Sequence, residues 1–123
     1  MSSILVVEDD PALRRLVEQM LVRERHEVTV APDGAKALRL LETTSFDLVI
    51  TDLVMPDTEG LSLLRELRKK TSPPKVIAMS GGGRGSATDY LELATILGAA
   101  ATLAKPFTQQ QLTDAIKQVL GAS

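Results

Sequence analysis

The sequence predicts an α/β domain, a five-stranded parallel sheet with helices packed on both faces. Three observations lead there. Short apolar runs of about five residues alternate with segments of helical period. A helical segment lies between each consecutive pair of runs, and parallel pairing requires such crossovers. The 123 residues are enough for one core and too few for two ordinary ones, so residues 1–123 form a single domain.

In chain order, Ile4-Leu5-Val6-Val7 is the first strand and ends in Glu8-Asp9. Asp10-Pro11 reads as N-cap and first helical residue, since proline's missing N–H costs nothing there. Leu13, Leu16, Val17, Met20 and Leu21 follow as one apolar stripe. Glu27–Ala31 alternates as a short second strand. Asp33-Gly34 opens a helix carrying Ala37, Leu38 and Leu41. Leu48-Val49-Ile50-Thr51 ends in Asp52, and a loop through Met55-Pro56-Asp57 leads to a helix with Leu61, Leu64 and Leu67 inward. Arg65, Arg68, Lys69 and Lys70 form that helix's wet face. Pro73-Pro74 stops it. The fourth strand, Lys75–Met79, ends in Ser80, and a glycine-rich loop from Gly81 to Gly85 precedes a helix from Ala87 to Leu97, with Gly98 as its C′ residue. The fifth strand precedes Lys105-Pro106-Phe107. Thr108 caps a last helix whose inward face is Leu112, Ala115, Ile116, Val119 and Leu120.

Composition excludes several classes of function. A hydrophobic fraction of 44% and a charged fraction of 24% are those of a globular domain. The net charge of −2 and a pI near 5.4 give no basic face for direct nucleic-acid binding. No apolar run approaches the roughly 20 residues of a membrane span. The first strand begins too early to leave room for a signal peptide. There is no cysteine, hence no disulfide and no zinc–sulfur site. Phe46, Tyr90 and Phe107 are the only aromatics, too few for base-stacking platforms. A cytoplasmic location is the economical expectation.

Parallel strands place their carboxyl ends on one edge, and ligands of open α/β sheets bind beyond that edge where the strand order reverses. The flavodoxin-like order 2-1-3-4-5 of a (βα)5 three-layer sandwich puts that point between the first and third strands. Those two strands end in Glu8-Asp9 and in Asp52. Carboxylates crowded in this way repel by several kcal/mol at intermediate dielectric. Either some are protonated at neutral pH, or a cation sits among them. Oxygen donors without His or Cys favour a hard ion, Mg²⁺ above all. Asp52 is then a candidate nucleophile forming an aspartyl phosphate. Lys105 and the metal would neutralise charge on the transferred group, and Ser80 would donate to a phosphoryl oxygen.

Singly, each residue has an ordinary explanation. Asp10 only caps a helix, Ser80 before glycines is a turn residue, and Lys105 is a solvated cation. Their convergence on one sheet edge is what those separate explanations leave unaccounted for.

The whole chain resembles the receiver domains of bacterial two-component response regulators, in particular stand-alone receivers of the chemotaxis-regulator kind. The resemblance is carried by Val6-Val7-Glu8-Asp9-Asp10-Pro11, Asp52-Leu53-Val54-Met55-Pro56 and Lys105-Pro106-Phe107. It implies that Asp52 is the phosphoacceptor from a sensor histidine kinase or phosphotransferase. It implies that Glu8 and Asp9 are the acidic pair, with Asp9 the more direct Mg²⁺ ligand, and that the backbone carbonyl of Val54 is another ligand. Ser80 matches the switch hydroxyl, Lys105 the phosphate-contacting lysine, and Lys105-Pro106 a cis peptide bond. The chain would then be a signalling switch and not a metabolic enzyme, catalysing only transfer onto itself and slow loss of its own phosphoryl group. Its output would be read by a downstream effector protein at the helix from Ala87, the fifth strand and the last helix. It would act as a monomer or a weak phosphorylation-dependent dimer. The alternative is a receiver module excised from a larger hybrid kinase or DNA-binding regulator.

Thr102 departs from the family, which commonly has an aromatic three positions before the lysine. Switching is therefore expected to rest on Ser80 and the Gly81-Gly82-Gly83 stretch, which is permissive in its backbone. Val54 and Gly82 stand where some relatives carry bulky polar side chains that position hydrolytic water, hence the slow self-dephosphorylation.

Competing readings fail on particular residues. The glycine-rich loop lacks the Gly-Lys-Ser/Thr ending of a phosphate loop and does not fit G-x-G-x-x-G. A flavin carrier would not place Glu8-Asp9-Asp10 at its phosphate. A phosphatase of the aspartyl-phosphate class needs an acid where Val54 stands, and a cap. His26 is expected on the surface, in the turn into the second strand.

Overall fold

The computed structural model describes residues 2–52, 59–81, 95 and 98–121. Strands β1 (Ser3–Val7), β2 (Glu27–Ala31), β3 (Leu48–Asp52), β4 (Lys75–Gly81) and β5 (Ala101–Lys105) form one sheet in the order β2-β1-β3-β4-β5. Every neighbouring pair is parallel. Helices α1 (Pro11–Arg23), α2 (Gly34–Thr43), α3 (Glu59–Arg68) and a C-terminal helix (Gln109–Leu120) supply the outer layers. The expected helix from Ala87, the Val54 carbonyl, Gly82 and Gly83 lie outside the described residues.

Side chains alternate across the sheet and divide the core in two. Ile4, Val6, Leu48, Ile50, Ile77 and Met79 pack on one face against Val17 and Leu21 of α1 and Leu112, Ala115 and Ile116 of the C-terminal helix. Leu5, Val7, Val49 and Ala78 pack on the other against Ala37 and Leu41 of α2 and Leu63, Leu64 and Leu67 of α3. Central β3 is buried along its whole length, as a parallel strand covered on both faces must be. Each fully buried Leu or Ile contributes about 1.5–3 kcal/mol.

Capping fixes where the helices start. Asp10 Oδ1 accepts from the N–H groups of Ala12 (2.9 Å) and Leu13 (3.4 Å), so this residue caps α1 as its position before Pro11 predicts. Asp33 accepts from Lys36 N–H at 2.8 Å to open α2. Thr108 and Gln111 form a reciprocal capping box on the C-terminal helix. At the end of α1, Arg25 adopts φ 65°, the left-handed conformation usually given to glycine. Gly98 takes φ 105°, a backbone conformation that suits glycine.

Four details differ from the periodicity. Leu16 is 47% exposed although it belongs to the apolar stripe of α1. At 3.6 residues per turn it points about 120° away from the midpoint of Val17 and Leu21, so it falls off the edge of the core. Leu63 is buried beside Leu64 and Leu67. His26 is half-buried, not on the open surface, and its Nδ1 accepts from Ser2 N–H at 3.2 Å. Burial chiefly, with the nearby N-terminus, lowers its pKa, against a smaller opposing pull from Glu24. β4 runs two residues past Met79.

Candidate functional site

β1 leaves the sheet at Val7, and Glu8 N–H donates to Ala31 O (3.1 Å), carrying the chain one residue beyond the ladder. β3 delivers Asp52 in register with Met79, so Ser80 stands one residue further along β4. β5 ends at Lys105, in register with Gly81. Each strand therefore carries its polar residue to the same carboxyl edge, and β1 and β3 are adjacent there.

Carboxylate oxygens of Glu8, Asp9 and Asp52 all lie within 4.8 Å of one another. Glu8 and Asp52 are buried, while Asp9 is exposed. Lys105 Nζ bridges the buried pair, 2.8 Å from Glu8 Oε1 and 3.2 Å from Asp52 Oδ1. Residues 97 positions apart in sequence thus share one ion-paired cluster. The Lys105-Pro106 peptide bond that follows is cis.

Burial pushes the Glu8 carboxyl up to about 7, and the negative charge of Asp52 adds to this, even though Lys105 and Asp10 N–H favour the ionised form. Asp10 N–H donates to Glu8 Oε2 at 3.1 Å. For Lys105 burial opposes the charge, but the hydrogen bond to Glu8 and the charge of Asp52 outweigh it, and its pKa is raised. With one cation among three acids, the site keeps unbalanced negative charge when all are ionised. Oxygen donors at this spacing, without a nitrogen or sulfur ligand in the group, suit a hard divalent ion.

Ser80 is 1% exposed, and its Oγ has no hydrogen-bond partner among the described residues. Leaving a buried hydroxyl unsatisfied costs about 1–3 kcal/mol, so an acceptor arriving at this edge would be favoured. Thr102 lies mid-strand on β5, half-buried and in register with Ala78.

Two contacts escape sequence reasoning. Arg14 Nη1 donates to the Glu8 carbonyl at 3.0 Å. Fully buried Thr51 donates from Oγ1 to the Asp52 carbonyl at 3.1 Å. Arg14 reads in sequence as a solvated helical cation and Thr51 as an ordinary strand residue, so neither carried a signal.

Among the described residues no helix is long and apolar enough to cross a membrane. The family model described as "Response regulator receiver domain" matches residues 4–117. The chain is 38% identical over 123 residues to the transcriptional regulatory protein CpxR of Klebsiella pneumoniae, covering 100% of this chain and 51% of that protein. It is 36% identical over 117 residues to Protein PetR of Rhodobacter capsulatus, covering 95% of this chain and 48% of that one. The chain thus spans about half the length of these curated relatives. The receiver domain of NtrX from Brucella abortus superimposes with a TM-score of 0.87 at 31% identity, covering 98% of this chain and 99% of that one. A response regulator receiver domain from Clostridium thermocellum gives a TM-score of 0.85 at 35% identity, covering 95% and 92%. A parallel sheet of order 2-1-3-4-5, an acidic cluster at its carboxyl edge and these matches lead to one conclusion: the chain belongs to the receiver domain family of two-component response regulators.

Proposed function

We propose that this chain is a phosphorylation-operated switch whose Asp52 takes a phosphoryl group from the phosphohistidine of a sensor kinase or phosphotransferase. The observation that carries the reading is the Lys105 ammonium bridging Glu8 and Asp52 beside Asp9. An Asp52 carboxylate oxygen forms the new O–P bond while the donor's P–N bond breaks. The imidazole nitrogen keeps the electron pair and takes up a proton. Lys105, 3.2 Å from Asp52, is placed to follow the negative charge as it spreads over the phosphoryl oxygens. Ser80 offers one of those oxygens a buried hydroxyl that has no partner among the described residues. Glu8, Asp9 and Asp52 would hold Mg²⁺, which when bound neutralises charge on the transferred group. Lysine and serine drawn toward the new charge would bias two conformers of the domain. A downstream effector protein would read the change at the helix from Ala87, β5 and the C-terminal helix. On this reading the chain is no metabolic enzyme and turns over nothing but its own phosphoryl group.

A second reading, the receiver module of a longer hybrid kinase or DNA-binding regulator, draws support from the half-length coverage of relatives such as CpxR. It shares the chemistry at Asp52 and differs only in output. Phosphoramidate, a small donor with a P–N bond, tests both. Intact mass is expected to rise by one phosphoryl group with Mg²⁺ and to stay unchanged in EDTA; no addition under either condition would refute the reading.

Metal affinity is expected to depend on pH. A metal ion needs its carboxylates ionised, and Glu8 releases its proton only near pH 7. Mg²⁺ should therefore bind about tenfold more weakly at pH 6 than at pH 8. Calorimetric titration checks this, and equal affinity at both pH values would contradict it.

The phosphorylated state is expected to be long-lived. Val54 and Gly82 offer no polar side chain to orient a hydrolytic water. Decay followed by intact mass after donor removal should take many minutes in Mg²⁺; a lifetime of seconds would contradict this account of the two positions.

A further inference from the structure

We propose that Arg14 is a positioning residue for the cation-holding carboxylates, acting through the peptide bond that joins Glu8 to Asp9. This rests on the reading of Glu8, Asp9 and Asp52 as the divalent-ion site.

The carboxylates are not held equally. Glu8 is fixed by Lys105 at 2.8 Å and by Asp10 N–H at 3.1 Å. Asp52 is fixed by its place in β3 and by Lys105. Asp9 is exposed and lies beyond the last ladder pair of β1, which joins Val7 to Ala31 and Thr51. The backbone leading into Asp9 is held on one side by Glu8 N–H donating to Ala31 O. On the other side Arg14 Nη1 donates to the Glu8 carbonyl at 3.0 Å. That carbonyl belongs to the Glu8–Asp9 peptide group, so its plane sets the direction in which Asp9 leaves the chain.

The placement of Arg14 on its own helix agrees with this role. It is the fourth residue of α1, close to the helix N-terminus, where the backbone dipole disfavours a cation. The half-buried side chain reaches back over six residues to the β1–α1 junction. The guanidinium is a planar, permanently charged donor, suited to holding a carbonyl in one orientation.

Positioning and simple electrostatics predict opposite signs. If Arg14 acted only as a nearby positive charge, removing it would strengthen divalent-ion binding. If it aims Asp9, removing it weakens binding, and losing a residue that orients a metal ligand without touching the metal typically costs 10–100-fold.

The experiment is calorimetric Mg²⁺ titration of the intact chain as wild type, Arg14→Met, Arg14→Lys and the charge-matched control Arg15→Met, with thermal midpoints in EDTA. Arg14→Met is expected to weaken Mg²⁺ roughly tenfold, the lower end of that range. Arg14→Lys, which retains a donor and the charge, should recover most of the loss. Exposed Arg15→Met should bind as tightly as wild type or slightly tighter, and midpoints in EDTA should agree within the small range usual for surface substitutions. Unchanged or tighter binding by Arg14→Met overturns the proposal. So does a loss that Lys does not recover, or one matched by a fall in the metal-free midpoint, since either makes Arg14 merely structural. A wild type that binds no Mg²⁺ overturns the metal reading itself, which separates the two failures.

Discussion

Replacing Asp52 by Asn is expected to abolish phosphoryl incorporation while leaving the fold intact. Asn has nearly the same shape, and Asp52 ends a strand that pairs with β1 as far as Thr51 and with β4 at Asp52 itself. The amide oxygen is a poor nucleophile, so no acyl phosphate should form from phosphoramidate at any Mg²⁺ concentration. Stability should change little, because the substitution removes one member of a mutually repelling acidic set while Lys105 keeps its 2.8 Å bond to Glu8. Intact mass and a urea melt together check this. Incorporation by Asp52→Asn at the wild-type level would place the acceptor elsewhere.

The second large effect is expected at Lys105. Lys105→Met keeps most of the side chain's aliphatic length but removes the cation from between Glu8 and Asp52. Phosphorylation should slow by roughly a hundredfold, the scale found when one preorganised charge-stabilising donor is lost. Metal-free stability should fall by about 1–3 kcal/mol at pH 8, since buried acceptors lose their partner. The loss should depend on pH in a definite direction. The folded-state pKa of Glu8, about 7, is above its ordinary 4.5. Its contribution therefore favours folding at acid pH and disappears as pH rises through 7. Without Lys105 the ionised form is disfavoured further. The variant's deficit should accordingly be largest above pH 7 and shrink toward pH 5.5, where Glu8 takes up a proton. Urea melts at the two pH values in EDTA measure it, and a deficit independent of pH would contradict the pairing.

Much of this architecture is written locally. Caps at Asp10, Asp33 and Thr108 are legible because each is satisfied by its own helix within a few residues. Strands β1, β3 and β5 are legible because each coincides with its apolar run to within a residue at either end. The flavodoxin-like order expected for five such units puts the carboxyl ends of β1 and β3 side by side, and with them Glu8, Asp9 and Asp52.

What sequence could not supply was set by tertiary geometry. Leu16 carries the same apolar signal as Val17, yet its place on the helical wheel, about 120° from the midpoint of Val17 and Leu21, leaves it exposed. The Lys105 bridge to Glu8 depends on two long side chains reaching toward each other from β5 and β1, which are not neighbours in the sheet. Arg14 and Thr51 act through main-chain carbonyls, which every residue possesses and no sequence pattern marks.

The switch requires that the acid at the tip of β3, and no other, receive the phosphoryl group with the help of a divalent ion. Borohydride reduction of the phosphorylated chain converts an aspartyl phosphate to homoserine, and peptide mass mapping then locates it. A single homoserine at position 52, formed with Mg²⁺ and missing in EDTA, is the predicted result. Homoserine at another acid, or equal yield without the ion, would contradict it.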